Sequence, residues 1–124
     1  MVVACAISAG AHAGLVPAHL EAEPRLGGAF VVAVVLLAAT AAALALRPRS
    51  ARAPRAASLV LAGLIGAYVA SRTTGIPVLS PEPEGIDAVG LTTNVVQALG
   101  LAFSLKLTQT MGGHRPPIDQ EATP

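Results

Sequence analysis

The stretch "LGGAFVVAVVLLAATAAALAL", residues 26–46, contains 21 consecutive residues without a charged side chain. An α-helix rises about 1.5 Å per residue, so a helix of this length crosses a hydrocarbon core of about 30 Å. The stretch therefore predicts a membrane-spanning helix, and it makes a bilayer the first environment to consider for the rest of the chain.

Three further apolar runs accompany this stretch, over residues 2–18, 56–71 and 88–105. The first and third are short for a span, but Pro54 suits a helix start and Arg72 can extend its charge outward to the membrane surface. The four runs predict an all-α protein, a four-helix transmembrane bundle within residues 1–107. Residues 108–124 are polar and rich in Pro and Gly, which predicts a disordered tail.

Composition separates this chain from soluble proteins. Charged residues make up 12% of it, hydrophobic residues 53%, and the mean hydropathy is +0.65, whereas soluble proteins carry about 25% charged residues. The alternative is a soluble helical protein with a core built almost entirely from Ala, Val and Leu, because the chain has two Phe, one Tyr and no Trp. A net charge of +1 provides no basic field for nucleic acid. The expected surroundings are a lipid bilayer, and nucleic acid is not an expected partner.

The loop "RPRSARAPR", residues 47–55, contains four arginines and no acid. Short loops rich in Lys and Arg stay on the cytoplasmic side of a membrane. This predicts that both termini are cytoplasmic (N-in, C-in) and that the chain is a multi-pass protein of the bacterial cytoplasmic (inner) membrane. The alternative for the first run is a cleaved signal peptide, because "AHA" at residues 11–13 fits the small-residue cleavage pattern. Cleavage would leave three spans.

The predicted orientation gathers five of the chain's seven acids at the extracytoplasmic end, beside two of its three histidines. We expect this polar cluster to bind a partner protein, an ion or a small ligand. Arg72 has two interpretations, an ion pair with an acid of the outer loop or a bidentate contact to an anionic ligand. Asp87 also suits the N-cap of the last helix. The members of the cluster are His12, His19, Glu21, Arg72, Glu82, Glu84 and Asp87.

The alternative function is a metal-handling or redox accessory membrane protein that uses His12, His19 and Glu21. Imidazole and carboxylate suit zinc, and imidazole also suits copper. On an unbroken helix the two histidines face the same way about 10 Å apart, which is too far for one ion, so a bend at Pro17 would have to bring them together. The expected cofactor is none, with zinc or copper as the alternative.

The candidate residues for acid–base catalysis are His12, Glu21 and Asp87. The sequence contains no Gly-x-Ser-x-Gly nucleophile motif, no phosphate-binding glycine loop and no Cys-x-x-Cys-His haem motif beside them. The pattern favours a protein without catalytic activity.

Polar side chains also recur within the last apolar run. Thr93, Gln97 and Ser104 lie on one helical face and Asn94 is adjacent. We expect them to point into the bundle, because an unsatisfied amide in hydrocarbon costs several kcal/mol. Hydrogen bonding between helices is the structural interpretation, and a water-lined path or proton relay is the functional one.

Small residues recur at four-residue spacing in two other runs, and such stripes let helix backbones approach closely. A bundle with so few bulky side chains is expected to need a partner, either another membrane protein or further copies of itself. The stripes are Gly10 and Gly14 in the first run, and Ser58, Ala62, Gly66 and Ala70 in the third.

The segment "SRTTGIPVLSPEPEGIDAVGL", residues 71–91, follows an upstream "AHLEAEP", residues 18–24. Together they resemble small four-span membrane proteins of high-GC Gram-positive bacteria, which share a Ser-Arg-Thr-x-Gly-x-Pro stretch and an acidic Glu-Pro-Glu loop before the last helix. The resemblance implies a four-span fold and brings no activity. Related chains often carry a Glu where Gln97 stands, which disfavours a carboxylate proton relay here. The matching positions are Ser71, Arg72, Thr73, Gly75, Pro77, Glu82, Pro83 and Glu84.

Overall fold

The structure is a computed structural model that describes residues 1–48, 50 and 52–112. Within these residues the fold consists of four helices and no extended strand. This confirms the prediction of an all-helical protein built from four packed helices. The helices are α1 (Val2–Ala22), α2 (Pro24–Leu46), α3 (Arg52–Thr73) and α4 (Ala88–Gly112).

The helices form an antiparallel ring, in which α1 packs on α2, α2 on α3, α3 on α4, and α4 on α1. The α1–α2 turn and the segment between α3 and α4 therefore lie at the same end of the bundle. We call it the acidic end, because it contains Glu21, Glu23, Glu82, Glu84 and Asp87. The opposite end is called the basic end, and its described cations are Arg47, Arg52, Arg55 and Lys106.

All four helices are long and apolar enough to cross a membrane, with mean hydropathies between 1.4 and 2.7 over their most apolar windows. Large apolar side chains face outward, as in Leu59 at 76% exposure and Phe103 at 64%. Gln97 and Ser104 are buried instead, and polar groups that face the inside of an apolar bundle are typical of membrane proteins. The architecture is that of a small multi-pass membrane protein.

The first two helices are longer than predicted and are separated by a single residue. The predicted first helix ends at residue 18, but α1 continues past Pro17 to Ala22. An internal proline removes one backbone hydrogen bond, but α1 continues through Pro17, whose ring is exposed. α2 begins at Pro24 rather than at residue 26, because a first helical position needs no N–H partner. Only Glu23 is extended between them.

The last two helices also exceed their apolar runs. α3 covers residues 52–73 instead of 56–71, and α4 reaches residue 112 instead of 105. A charged side chain ends an apolar run in the sequence but does not end a helix, since Arg and Lys extend along the helix toward water. Residues 108–112 of the predicted tail are thus helical, while residues 113–124 lie outside the described part of the chain.

The half of the bundle next to the basic end has a closed core. Cys5, Leu37 and Leu61 have no exposed surface. The hydroxyls of Ser58 and Ser104 are 2.8 Å apart, and both lie within 3.0 Å of the Pro54 carbonyl oxygen. The polar atoms that join α3 to α4 in this half are therefore satisfied.

The small-residue stripes contact other helices only in part. Gly10, Gly14 and Gly66 have no neighbouring atom within 4 Å of the place a Cβ would take, so the expected close approach at these positions is wrong within this bundle. A spacing of four specifies a helix face but not the neighbour that covers it. The close approach of α1 and α2 occurs instead at Gly27, where a Cβ would lie 2.6 Å from the Leu20 nitrogen.

Candidate functional site: a cavity at the acidic end

A cavity of about 290 Å³ lies between the helices in the half of the bundle next to the acidic end. All four helices line it, together with Ile76 and Leu79 from the segment between α3 and α4. Apolar walls with a few convergent polar groups are typical of sites for small molecules. The charged, amide and ring-bearing side chains in the lining are His12, His19, Phe30, Tyr68, Arg72, Glu84, Asp87, Asn94 and Gln97.

One wall of the cavity is made of rings from α1 and α2. His19 stacks on Phe30 with ring centroids 4.3 Å apart, and His12 lies 5.4 Å from the same ring. Nδ1 of His12 donates to the Ser8 carbonyl at 2.8 Å, and Nδ1 of His19 donates to the Leu15 carbonyl at 2.9 Å. A carbonyl oxygen only accepts, so each neutral ring carries its proton on Nδ1 and keeps Nε2 as an acceptor.

The opposite wall is organised by Arg72 at the end of α3. Its Nη1 donates to Glu84 at 2.8 Å and its Nη2 donates to Asp87 at 2.7 Å. The guanidinium carbon also lies 4.9 Å from the centre of the Tyr68 ring, within the range of a cation–π contact. These contacts match the ion-pair interpretation of Arg72, and they leave its two terminal nitrogens already engaged by carboxylates.

The segment between α3 and α4 closes the acidic end as a compact cap. The backbones of Ile76 and Ser80 exchange hydrogen bonds of 2.6 and 2.9 Å, and the Glu84 N–H donates to the Ser71 carbonyl at 2.9 Å. Gly75 has a φ of +72°, a left-handed conformation that other residues adopt at a cost. A Cβ at this position would also collide with the Pro81 carbonyl. The Gly75 turn therefore directs Ile76 and Leu79 over the cavity.

Asp87 joins this cap to α4. Its Oδ1 accepts from the Gly90 N–H at 2.6 Å, three residues into the helix. This is the side-chain bond of a helix N-cap, so the predicted capping role of Asp87 is confirmed. The same carboxylate also accepts from Arg72, which links the start of α4 to the end of α3.

The inner part of the cavity is lined by two carboxamides of α4. Gln97 is 1% exposed, and neither its Oε1 nor its Nε2 has a hydrogen-bond partner among the described residues. Asn94 donates from Nδ2 to the Gly90 carbonyl at 2.9 Å, while its Oδ1 is buried without a partner in the same part of the chain. Thr93 is satisfied by the Val89 carbonyl. The expectation that these α4 side chains point into the bundle is confirmed.

The structure brings together only part of the predicted polar cluster. His12, His19, Arg72, Glu84 and Asp87 all line the cavity. Glu21 and Glu82 are exposed and are not among its lining residues. The helix period explains the position of Glu21, which is two residues beyond His19 and therefore lies on a different face of α1.

The geometry of the described residues does not provide a set of ligands for the hypothesised metal ion. Among the described residues, no three His, Cys, Asp or Glu side chains are close enough together to hold one ion. α1 does not fold back at Pro17, so His12 and His19 remain two turns apart, each beside Phe30.

Sequence reasoning missed the rings that shape the site. Phe30 and Tyr68 are two of only three Phe and Tyr side chains in the chain, and both line the cavity. Their rarity in a chain rich in Ala, Val and Leu is the signal that would have identified them. The contributions of Ile76 and Leu79 had no such signal, because they depend on the turn at Gly75.

Comparison of the chain with protein-family models, with curated proteins and with solved structures finds no match. The resemblance to small membrane proteins of high-GC Gram-positive bacteria therefore stays a prediction, and the geometry of the cavity is the basis for a functional assignment.

Proposed function

We propose that this small membrane protein is a non-catalytic binding protein that holds a small molecule in the cavity at its acidic end. The proposal narrows the expectation of a binding cluster to one site and one kind of ligand. His12, His19, Tyr68, Arg72 and Gln97 contact the ligand, while Glu84 and Asp87 hold Arg72 in position.

The observation that carries this proposal is the Gln97 carboxamide. A buried amide without a hydrogen bond costs about 1–3 kcal/mol, and a chain selected only for stability has apolar residues available for this position. A ligand that hydrogen-bonds to Gln97 and Asn94 recovers this free energy. The same two side chains lie against a cavity large enough to hold such a ligand.

The test is the small-molecule content of protein purified gently from membranes. Ala29→Leu adds three carbon atoms to the cavity lining, and Ala38→Leu makes the same change at an exposed position of the same helix. Native mass spectrometry and solvent extraction should detect an additional compound in the wild type and in Ala38→Leu, and little of it in Ala29→Leu. Equal occupancy in all three proteins, or only ordinary phospholipid in each, would contradict the proposal.

We also propose that the protein resides in the bacterial cytoplasmic membrane with its acidic end outside and both termini inside. The support is the distribution of Lys and Arg, with four arginines in residues 47–55 against Arg25 and Arg72 at the other end. A membrane-impermeant maleimide applied to intact cells should label Glu82→Cys and leave Arg47→Cys unlabelled until the cells are opened. The reverse pattern would invert the orientation without affecting the ligand proposal.

A further inference from the structure

We infer that the ligand is a neutral, lipid-soluble ring compound that carries carbonyl or hydroxyl oxygens. This inference rests on the proposed function and specifies the class of molecule for the same cavity. It follows from the charge, the ring content, the volume and the unsatisfied hydrogen-bonding groups of the lining.

The one arginine of the lining is already engaged by two carboxylates, which leaves one net negative charge at the rim. Arg72 makes ion pairs of 2.8 and 2.7 Å with Glu84 and Asp87 at the rim. The deeper wall formed by Asn94 and Gln97 contains only neutral polar groups. A charged ligand would lose its hydration there without meeting an opposite charge, which is costly in an apolar surrounding. The deeper wall therefore selects against anions such as lipid phosphates and also against cations.

The walls favour a ring. Phe30 lines one side with His19 stacked on its ring and His12 tilted against it, and Tyr68 lines the cavity from α3. Aromatic side chains pack well against flat rings in offset or edge-to-face arrangements. A dry cavity of about 150 Å³ is known to bind benzene, so the 290 Å³ here corresponds to a substituted ring or a bicyclic compound.

The unpartnered groups define the polar part of the ligand. Gln97 offers an N–H donor and a carbonyl acceptor, and Asn94 offers a carbonyl acceptor. The Tyr68 hydroxyl and Nε of Arg72 are likewise buried without partners among the described residues. A ligand carbonyl accepts from Gln97 Nε2 or Arg72 Nε, and a ligand hydroxyl donates to Gln97 Oε1 or Asn94 Oδ1. Each oxygen thus satisfies a group that the protein leaves unpaired.

Four probes with the same ring skeleton separate these features. 1,4-Naphthoquinone carries two carbonyls, 2-methylnaphthalene has no polar group, naphthalene-2-sulfonate is an anion and 1-naphthylmethylammonium is a cation. Equilibrium dialysis against detergent-solubilised protein measures their affinities, with protein-free micelles as the partition control. Naphthoquinone should bind the wild type about tenfold or more tightly than the hydrocarbon or either ion, as expected from hydrogen bonds to buried groups.

Two variants connect this preference to the cavity. Gln97→Met keeps a similar side-chain volume without the amide, so naphthoquinone affinity should fall to about that of methylnaphthalene. Ala29→Leu should weaken all neutral probes, while Ala38→Leu should leave them unchanged.

The outcomes distinguish the ligand class from the proposed function. Tighter binding of either ion, equal binding of hydrocarbon and quinone, or no binding of any probe to the wild type overturns the neutral oxygen-bearing class. Binding that is selective for a different probe and sensitive to Ala29→Leu leaves the cavity as a ligand site. If every probe binds and Ala29→Leu changes none of the affinities, both the ligand class and the cavity as the binding site are overturned.

Discussion

The two halves of this bundle are built from the same helices and nearly the same residue types, yet only one of them is closed. Next to the basic end, Leu37 and Leu61 are fully buried within one closed cluster. Next to the acidic end, Ala29, Ala33 and Ala67 are among the residues that line the cavity. The closed cluster also contains buried alanines, Ala53 and Ala57, so side-chain size alone does not decide which half is packed and which half contains a cavity.

Two buried polar side chains of α4, one in each half, also differ in whether their hydrogen bonds are satisfied. The Ser58 and Ser104 hydroxyls in the closed half each have an acceptor for their single proton, either the Pro54 carbonyl oxygen or the other hydroxyl. The Gln97 amide in the open half has no partner in the described part of the chain. The first arrangement adds stability to the bundle, whereas the second leaves hydrogen-bonding capacity for a molecule from outside.

The largest effect is expected from Leu37→Ala, which removes a fully buried side chain from the closed half. We expect a loss of about 2 kcal/mol in the free energy of unfolding, at the lower end of buried Leu-to-Ala changes, because lipid solvates apolar groups in the separated helices. Leu26→Ala on the same helix enlarges an existing cavity and should cost less than half as much. Reversible unfolding in mixed micelles measures both, and equal losses would mean that the halves are packed alike.

A loss of about 1–2 kcal/mol is expected from Gly75→Ala, because alanine at φ +72° adopts a disfavoured left-handed conformation. Its Cβ also meets the Pro81 carbonyl, so the cap over the cavity should loosen. Gly85→Ala is the matched control, since a Cβ there contacts nothing within 4 Å. Thermal unfolding together with limited proteolysis of residues 74–87 would check this. A Gly75→Ala protein as stable and as protease-resistant as Gly85→Ala would argue against the cap.

A smaller loss of stability is expected from substitutions of Asp87, and two variants separate its role as the cap of α4 from its ion pair with Arg72. Asp87→Ala removes both the cap of α4 and one ion pair with Arg72, and it should cost about 1 kcal/mol. Asp87→Asn keeps a side-chain oxygen for the Gly90 N–H and should recover most of that loss, because asparagine caps helices as well as aspartate. Thermal stability of the two variants in one detergent measures the difference. If Asn were as damaging as Ala, the charge rather than the cap would hold α4 at the acidic end.

The smallest expected changes in the free energy of unfolding come from one variant in each half, and they should have opposite signs. Gln97→Met removes an unsatisfied buried amide, so the unliganded protein should be unchanged or up to about 1 kcal/mol more stable. Ser104→Ala removes a satisfied hydrogen bond and should cost about 1 kcal/mol. The comparison uses unfolding curves of protein freed of small molecules by extensive detergent exchange. A destabilised Gln97→Met protein would mean that the amide is satisfied within the fold.

The sequence predicts the fold better than it predicts the site. The uncharged run at residues 26–46 and its three companions predict four packed helices, and the period of α4 predicts that Thr93, Gln97 and Ser104 face inward. The helix ends were less predictable, because α1 continues through Pro17 and because α3 and α4 continue past the charged residues that bound their apolar runs.

The cavity itself could not be predicted from periodicity. Residues of all four helices line it, and the placement of helices against one another is a property of tertiary packing. The same limit explains why Gly10 and Gly14 were expected at a helix contact but face outward. In contrast, the ion-pair interpretation of Arg72 was accessible from the sequence, since its partners lie within 15 residues along the chain.

The most direct test of the difference between the halves uses the reactivity of two thiols in one protein. Native Cys5 is fully buried in the closed half, and Asn94→Cys introduces a second thiol in the cavity wall. A small methanethiosulfonate reagent should modify residue 94 rapidly, should do so slowly when Ala29→Leu is added, and should leave Cys5 unmodified until the protein is unfolded. Equal rates at the two thiols, or a rate at residue 94 that Ala29→Leu does not change, would contradict an open acidic half.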